Sequence, residues 1–122
     1  MKRDMDLVRK ILQWMEAQEH GSVAGRKVAI DGYTQEQIGY HAYLMHEAGL
    51  IFAVNVPSTG LASPRYLPVR LTWAGHDFLE SVKDDGLWEK AKKNVIQPAG
   101  GVAFSVLVDW ARAEAKTRLG IP

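Results

Sequence analysis

The stretch TQEQIGYHAYLMHEAGLI, residues 34–51, decides how the rest of the chain is interpreted. Thr34 and Gln37 have the spacing of a capping box, so the pattern predicts a helix that begins at Thr34. Gly49 suits the left-handed conformation that follows a last helical turn, so the helix is expected to end near residue 48. Its predicted buried positions are apolar and helically spaced: Ile38, Ala42, Met45 and Ala48.

The segments on either side of this helix predict the core of a winged helix-turn-helix. A helix over residues 4–17 comes first, and the short strand KVAI follows at 27–30. After the central helix, strands are predicted over 50–56 and 65–71, with a wing between them. The second helix of the motif has hardly any room before Thr34, and the sequence leaves open whether it is absent or has melted into GSVAGR.

A helical extension is predicted beyond the second strand. Two of its helices have an expected N-cap residue, Thr72 and Asp85 respectively. The expected helices cover 73–82, 87–96 and about 102–119, the last after a break at Pro98, Gly100 and Gly101. The predicted fold class is therefore α+β, as one domain with a winged-helix core and wing over 1–71 and C-terminal helices over 72–122.

Length, charge and cysteine content exclude several classes of protein. With 122 residues, 47% of them hydrophobic and 24% charged, the chain has the composition of a globular domain. The net charge of +1 is low for a dedicated nucleic-acid binder. The absence of cysteine rules out disulfides and thiolate metal sites, and it suits the cytoplasm. No signal peptide and no membrane-spanning apolar stretch is predicted.

The histidines do not predict a metal site or an enzyme. His41 and His46 are five residues apart, whereas two zinc ligands on one helix need a spacing of three or four. His41 is expected to be half-buried with a backbone or water partner, and His76 to help fix the junction after the second strand. The sequence contains no nucleophile elbow, phosphate loop or paired-carboxylate pattern, so we expect no catalytic activity, no metal and no cofactor.

Three stretches of the chain resemble a known family: MKRDMDLVRKIL, GYTQEQIGYHAYLMHEAGLI and RLTWAGHDFLESVKDDGLWEKAKK. Its members are short, uncharacterised bacterial and phage proteins with a domain of unknown function. They share the Met-Lys-Arg-Asp start, the helix end Ala-Gly-Leu-Ile and the junction Leu-Thr-x-x-Gly-His. The resemblance spans nearly the whole chain, and it implies a winged-helix fold and an association with phage or prophage. It brings no catalytic residues.

The exposed face of the central helix predicts DNA binding. With the apolar stripe buried, this face carries Gln35, Gly39, Tyr40 and Tyr43. Gln can bond adenine, Tyr can contact a phosphate or a thymine methyl, and a glycine permits close approach to a backbone. Arg65 in the wing could reach a phosphate or the minor groove. We therefore expect a small regulator of transcription, of the phage or prophage type, with double-stranded DNA as its partner.

The same face also suits a protein partner, which stays open as the alternative. Two tyrosines with Gln and His, and no Lys or Arg over residues 34–48, are typical of a protein interface. The chain would then be an adaptor or inhibitor that does not bind DNA. In either case the last helix is a candidate homodimer contact through Val106 and Trp110, although packing against the first helix would explain these residues equally well.

Overall fold

The computed structural model describes residues 1–57, 62–96 and 103–120 of the chain. These ranges contain five α-helices, one π-helical segment and a two-stranded antiparallel sheet, which confirms the predicted α+β class. The elements are α1 (Met5–Glu16), α2 (Gln35–Glu47), β1 (Ile51–Asn55), β2 (Tyr66–Leu71), α3 (Trp73–Val82), α4 (Asp85–Ala91), the π-helical segment (Lys92–Ile96) and α5 (Phe104–Arg118).

The chain divides into two compact units, Met1–His76 and Asp77–Pro122, with the boundary inside α3. The prediction that all 122 residues form one domain stays a prediction. The predicted wing tip over 58–61, the predicted break around Pro98 and the start of the last helix at 102 lie outside the described residues.

The first unit has the winged-helix arrangement that the sequence predicts. Helix α1 packs on α2 and on β2, and α2 packs on both strands. Asp4 caps α1 and Thr34 caps α2 with the predicted capping box to Gln37, while Gly49 follows α2 with a φ of +77°. The buried residues of these two helices are Leu7, Val8, Arg9, Ile11, Leu12 and Met15 on α1, and Ile38, Gly39, His41, Ala42 and Met45 on α2. Ala48, predicted to be buried, is exposed.

A loop replaces the second helix of the motif. Residues 17–34 are all described, and they contain turns and extended backbone but no helix. Two valines of this loop enter the core in place of a helix, Val23 at 1% and Val28 at 3% exposure. The Val23 backbone N–H also donates to the carbonyl oxygen of Val69 in β2, at 2.7 Å. The predicted reduction of the second helix is confirmed.

The predicted strand KVAI at 27–30 is wrong, because the segment has no strand partner in the described structure. Its alternation is real, since Val28 is buried between two exposed residues. However, Pro68 has no N–H to offer to a neighbouring strand, and the Val69 carbonyl already accepts from Val23. The carbonyl of Val28 instead accepts from the side chain of Gln35, at 2.9 Å.

The two strands of the wing pair with one irregularity in their register. Phe52 lies opposite Arg70, but the next residue of β1, Ala53, lies opposite Pro68. Val69 is therefore an extra residue in β2, a β-bulge. The bulge accommodates Pro68 within the ladder, and it accompanies the bond between Val69 and the loop before α2.

The end of α2 and the start of α3 form a close junction. The Thr72 N–H donates to the Leu50 carbonyl at 3.1 Å, and the Thr72 hydroxyl donates to the Gly49 carbonyl. The same hydroxyl accepts from the Gly75 N–H at 3.0 Å, which confirms Thr72 as the cap of α3. Gly75 has no room for a side chain, because a Cβ would collide with the Leu50 carbonyl oxygen.

In the second unit, α4 and α5 pack on each other, with Trp88, Leu107 and Ala111 fully buried. The N-cap of α4 is Asp84, not Asp85 as predicted, since Asp84 accepts from the Leu87 N–H at 2.7 Å. This bond is the main reason why the pKa of Asp84 is lowered. The predicted helix over 87–96 is α-helical only to residue 91, after which the π-helical segment begins.

Candidate functional site

Five aromatic side chains form one continuous cluster on the first unit, which we call the aromatic surface: Tyr40, Tyr43, His46, Phe52 and Tyr66. The ring centroids of Tyr40 and Tyr43 are 6.1 Å apart, and those of Tyr43 and Tyr66 are 5.2 Å apart. His46 continues the series at 5.5 Å from Tyr66 and 5.7 Å from Phe52. These separations are those of rings in favourable contact.

The elements that carry these rings are fixed to each other at His46. Tyr40, Tyr43 and His46 succeed one another at spacings of three along α2, which places them on neighbouring positions of its surface. The His46 Nδ1 accepts from the backbone N–H of Ala53, at 3.2 Å, and so ties α2 to β1. The aromatic surface is therefore held by the secondary structure rather than by a loop.

The aromatic surface is open to solvent at its β1 end. Phe52 keeps 48% of its surface exposed, and Val54, two residues on along β1, keeps 47%. The guanidinium of Arg70 lies 5.4 Å from the centre of the Phe52 ring, a cation–π distance. The tyrosines and His46 are half-buried. Large exposed apolar side chains beside a ring cluster are typical of a binding surface.

The sequence missed Phe52 and Tyr66 as members of this site. The signal for Phe52 was present in the strand IFAVN, whose alternation places Phe52 and Val54 on the side opposite Ile51 and Ala53. Tyr66 had no such signal, because its contacts with Tyr43 and His46 depend on the packing of α2 against β2.

Two of the predicted DNA-binding residues, Gln35 and Gly39, have partners within the chain. The Gln35 amide donates to the Val28 carbonyl, at 2.9 Å. Gly39 is buried, so its predicted place on the exposed face is wrong. The side chain of Arg65 covers it, and a Cβ at Gly39 would lie only 2.6 Å from the Arg65 Cγ. The wing thus closes over this position of α2.

The other two, Tyr40 and Tyr43, belong to the aromatic surface. The Tyr43 hydroxyl donates to Glu47 at 3.1 Å, and this bond is the main cause of the raised pKa of Tyr43. Glu36, on the same helix, accepts from the Ser63 hydroxyl at 3.0 Å. The described structure therefore occupies much of the hydrogen-bonding capacity of this face of α2.

A polar cluster joins Asp4, Tyr33 and His41, and its contacts hold the first unit together. His41 is 1% exposed, and its Nε2 accepts from the Asp4 N–H while its Nδ1 contacts the Gln37 carbonyl, both at 2.8 Å. The Tyr33 hydroxyl donates to Asp4 at 3.1 Å. Burial, followed by the charge of Asp4, raises the pKa of Tyr33 to about 12. With both ring nitrogens bound to the backbone, His41 has none left for proton transfer to a substrate.

Among residues 1–57, 62–96 and 103–120, no three His, Asp or Glu side chains are placed to hold a metal ion. None of the helices in these ranges has the length and apolar character needed to cross a membrane. The aromatic surface is the candidate site that the geometry of the first unit supports best.

Comparisons with known proteins give a family and no activity. The family model described as "Hypothetical protein (DUF2513)" matches residues 2–102. An uncharacterized protein of Haemophilus influenzae is 33% identical over 95 residues, which are 78% of this chain and 79% of that protein. No solved structure matches the chain. The resemblance to a family of uncharacterised proteins is confirmed.

Proposed function

We propose that this chain, which belongs to the DUF2513 family, is a protein-binding module that docks its partner on the aromatic surface. The main observation in support of this proposal is the unbroken series of five rings that ends in the exposed Phe52. Tyrosine and other aromatic residues are enriched in protein interfaces, where they contribute much of the binding energy. The module would act in the cytoplasm as an adaptor or inhibitor, and its phage or prophage origin is part of the same proposal.

The charge of α2 supports a protein partner over DNA. The helix contains no Lys or Arg, and it carries Glu36 and Glu47. DNA binders obtain most of their non-specific affinity from cations that neutralise phosphates. The Gln35 amide, which would have to bond a base edge, is bound to the Val28 carbonyl instead. The rings of the aromatic surface, by contrast, can be buried against a protein without any phosphate-binding cation on α2.

The proposal predicts where a partner can be cross-linked. A photo-crosslinking amino acid at Val54, beside Phe52, should give a protein adduct of defined mass in the natural host. The same amino acid at Glu19, which is exposed between α1 and α2, should give none. Adding Tyr43→Ala and Tyr66→Ala should reduce the adduct from position 54 by about tenfold, the effect of losing ring contacts at an interface centre. Equal adducts at both positions, or an adduct indifferent to the rings, would overturn the proposal.

DNA binding is the second candidate, and Arg65 favours it. By lying across Gly39, the Arg65 side chain brings a cation from the wing onto a helix that has none of its own. The test is a titration of a mixed pool of short duplexes from low to physiological salt. A DNA reader binds with a steep salt dependence, and replacing Gln35, Tyr40 and Tyr43 together with alanine should weaken it at least about tenfold. An absence of binding at low salt would end this candidate and leave the protein partner.

A homodimer through α5 is a further part of the proposed function. Val106 keeps 50% of its surface exposed, and Trp110 is half-buried one helical turn further on. The buried face of α5 is formed by other residues, Leu107 and Ala111. Packing within the unit therefore does not use all of the apolar surface of this helix, and a second copy of the chain would cover the rest.

A further inference from the structure

Four exposed or half-buried residues of α5, three of them apolar, have the spacing of a coiled-coil seam. Val106, Trp110, Ala113 and Thr117 follow one another at intervals of four, three and four residues. Each is exposed or half-buried, whereas Leu107 and Ala111 on another side of the helix are buried. Intervals of four and three keep side chains on one side of a helix, which is the a/d pattern of helices that pair. We call these four residues the α5 seam.

The sizes of the seam residues select one relative direction of two helices. In an antiparallel pair related by a two-fold axis near residue 111, Trp110 meets Ala113 of the second copy, and Val106 meets its Thr117. The largest side chain then packs on the smallest, twice. A parallel pair would instead set Trp110 against Trp110 and Ala113 against Ala113, with crowding at one level and a gap at the next.

The charges beside the seam select the same direction. Asp109 and Lys116 flank the seam on one side, and both are exposed. In the antiparallel pair, Asp109 of each copy lies beside Lys116 of the other, which gives two attractive contacts. In a parallel pair, Asp109 would lie beside Glu114 of the second copy, an acid that is already ion-paired with Lys90 of its own unit at 3.0 Å, so the pair would gain no attractive contact there. Size and charge therefore agree on one arrangement.

From these observations we infer that α5 pairs with α5 of a second copy in an antiparallel arrangement, with Trp110 on Ala113 and Asp109 beside Lys116. The inference rests on the proposed homodimer, and it names the surface and the register. Because α5 has 15 residues, the seam is about 22 Å long at most. An interface of that length is small, so the dimer is expected to dissociate on dilution.

Charge reversal in the full-length chain tests the arrangement by sedimentation equilibrium. Asp109→Lys gives two Lys–Lys contacts in its own dimer, and Lys116→Glu gives two Asp–Glu contacts, so each should weaken self-association by about tenfold. A heterodimer of the two variants has only Lys–Glu and Lys–Asp contacts, so an equimolar mixture should associate about as tightly as the wild type. Arg112→Glu, on an exposed position outside the seam, is the matched control and should change little.

The outcomes separate the homodimer from its arrangement. A wild type that stays monomeric at every concentration would end both. A dimer that is indifferent to both reversals, or a mixture that remains monomeric, would leave the homodimer and overturn the antiparallel register.

Disulfide cross-linking is a second test of the antiparallel arrangement, since the chain contains no cysteine of its own. In the antiparallel arrangement the two copies of residue 106 are separated by roughly the length of eleven helical residues, about 16 Å, which is too far for a disulfide. Val106→Cys alone should therefore not cross-link, whereas Val106→Cys combined with Thr117→Cys should give a reducible dimer. Efficient cross-linking by the single variant would indicate a parallel pair and overturn the inference.

Discussion

Replacing Gly75 with alanine is expected to destabilise the first unit by about 3 kcal/mol, at the upper end of what overpacking a well-packed site costs. The reason is the Leu50 carbonyl oxygen, which occupies the place of the added methyl group. That oxygen accepts from the Thr72 N–H at 3.1 Å, and the Thr72 hydroxyl is bound to Gly49. The carbonyl therefore cannot retreat unless the junction between α2 and α3 opens.

Urea unfolding followed by far-UV circular dichroism measures this effect, and Gly21→Ala is the matched control. A Cβ at Gly21 would meet no atom within 4 Å, so that variant should stay within about 0.5 kcal/mol of the wild type. Equal stability of the two variants would contradict the account of the junction.

This junction shows which parts of the fold a sequence can predict. The start and end of α2 and the cap at Thr72 follow from local spacing, because capping bonds join residues three or four apart. The contact of Gly75 with Leu50 joins residues that are far apart in the sequence, and it depends on how α2 and α3 meet. No local pattern contains that information.

The strand predicted at 27–30 failed for a related reason. Its alternation of buried and exposed residues is real, but a strand also needs a neighbour with free backbone groups. In β2 one N–H is missing at Pro68, and the Val69 carbonyl is already bound to Val23. Helices carry their partners within their own sequence, whereas strands find them elsewhere, so a segment such as 27–30 can have the alternation of a strand without forming one.

The candidate site was half predictable. Helical periodicity placed Tyr40 and Tyr43 away from the buried stripe of α2, and both are half-buried there. The same periodicity placed Gly39 on the surface, and it was wrong because Arg65 of the wing covers that position. Phe52 joins the tyrosines only through the packing of α2 on the wing. The side chains that β1 and β2 contribute to the aromatic surface are brought there by tertiary packing. They are a reason why we propose a protein partner ahead of DNA.

Acid is expected to destabilise the first unit through His41. An amide N–H can only donate, so the bond from Asp4 makes Nε2 the acceptor and places the ring proton on Nδ1, facing the Gln37 carbonyl. Protonation would set a new N–H against the Asp4 N–H. Burial is the main cause of the lowered pKa of His41, and the Gln37 carbonyl and the charge of Asp4 oppose it.

The sign of the pH effect follows from the two states of the chain. Unfolded His41 has a pKa of about 6.5, and in the folded protein the pKa is lower. Between these two values the unfolded chain binds more protons, so the free energy of unfolding falls as the pH falls. The stability that neutral His41 provides is therefore complete above pH about 6.5, and it is lost progressively below that value until the folded pKa is reached.

Two substitutions separate the proton from the hydrogen bond. His41→Gln does not titrate and can place an amide oxygen where Nε2 accepts from Asp4, so its stability should change less between pH about 7 and about 5.5 than that of the wild type. His41→Phe keeps a ring but leaves the Asp4 N–H without an acceptor, which should cost about 1–3 kcal/mol at neutral pH. Urea unfolding across this pH range measures both. If the wild type and the Gln variant had the same dependence on pH, the acid sensitivity would belong to other groups. A Phe variant as stable as the wild type at neutral pH would contradict the stabilising role of the bond between Asp4 and His41.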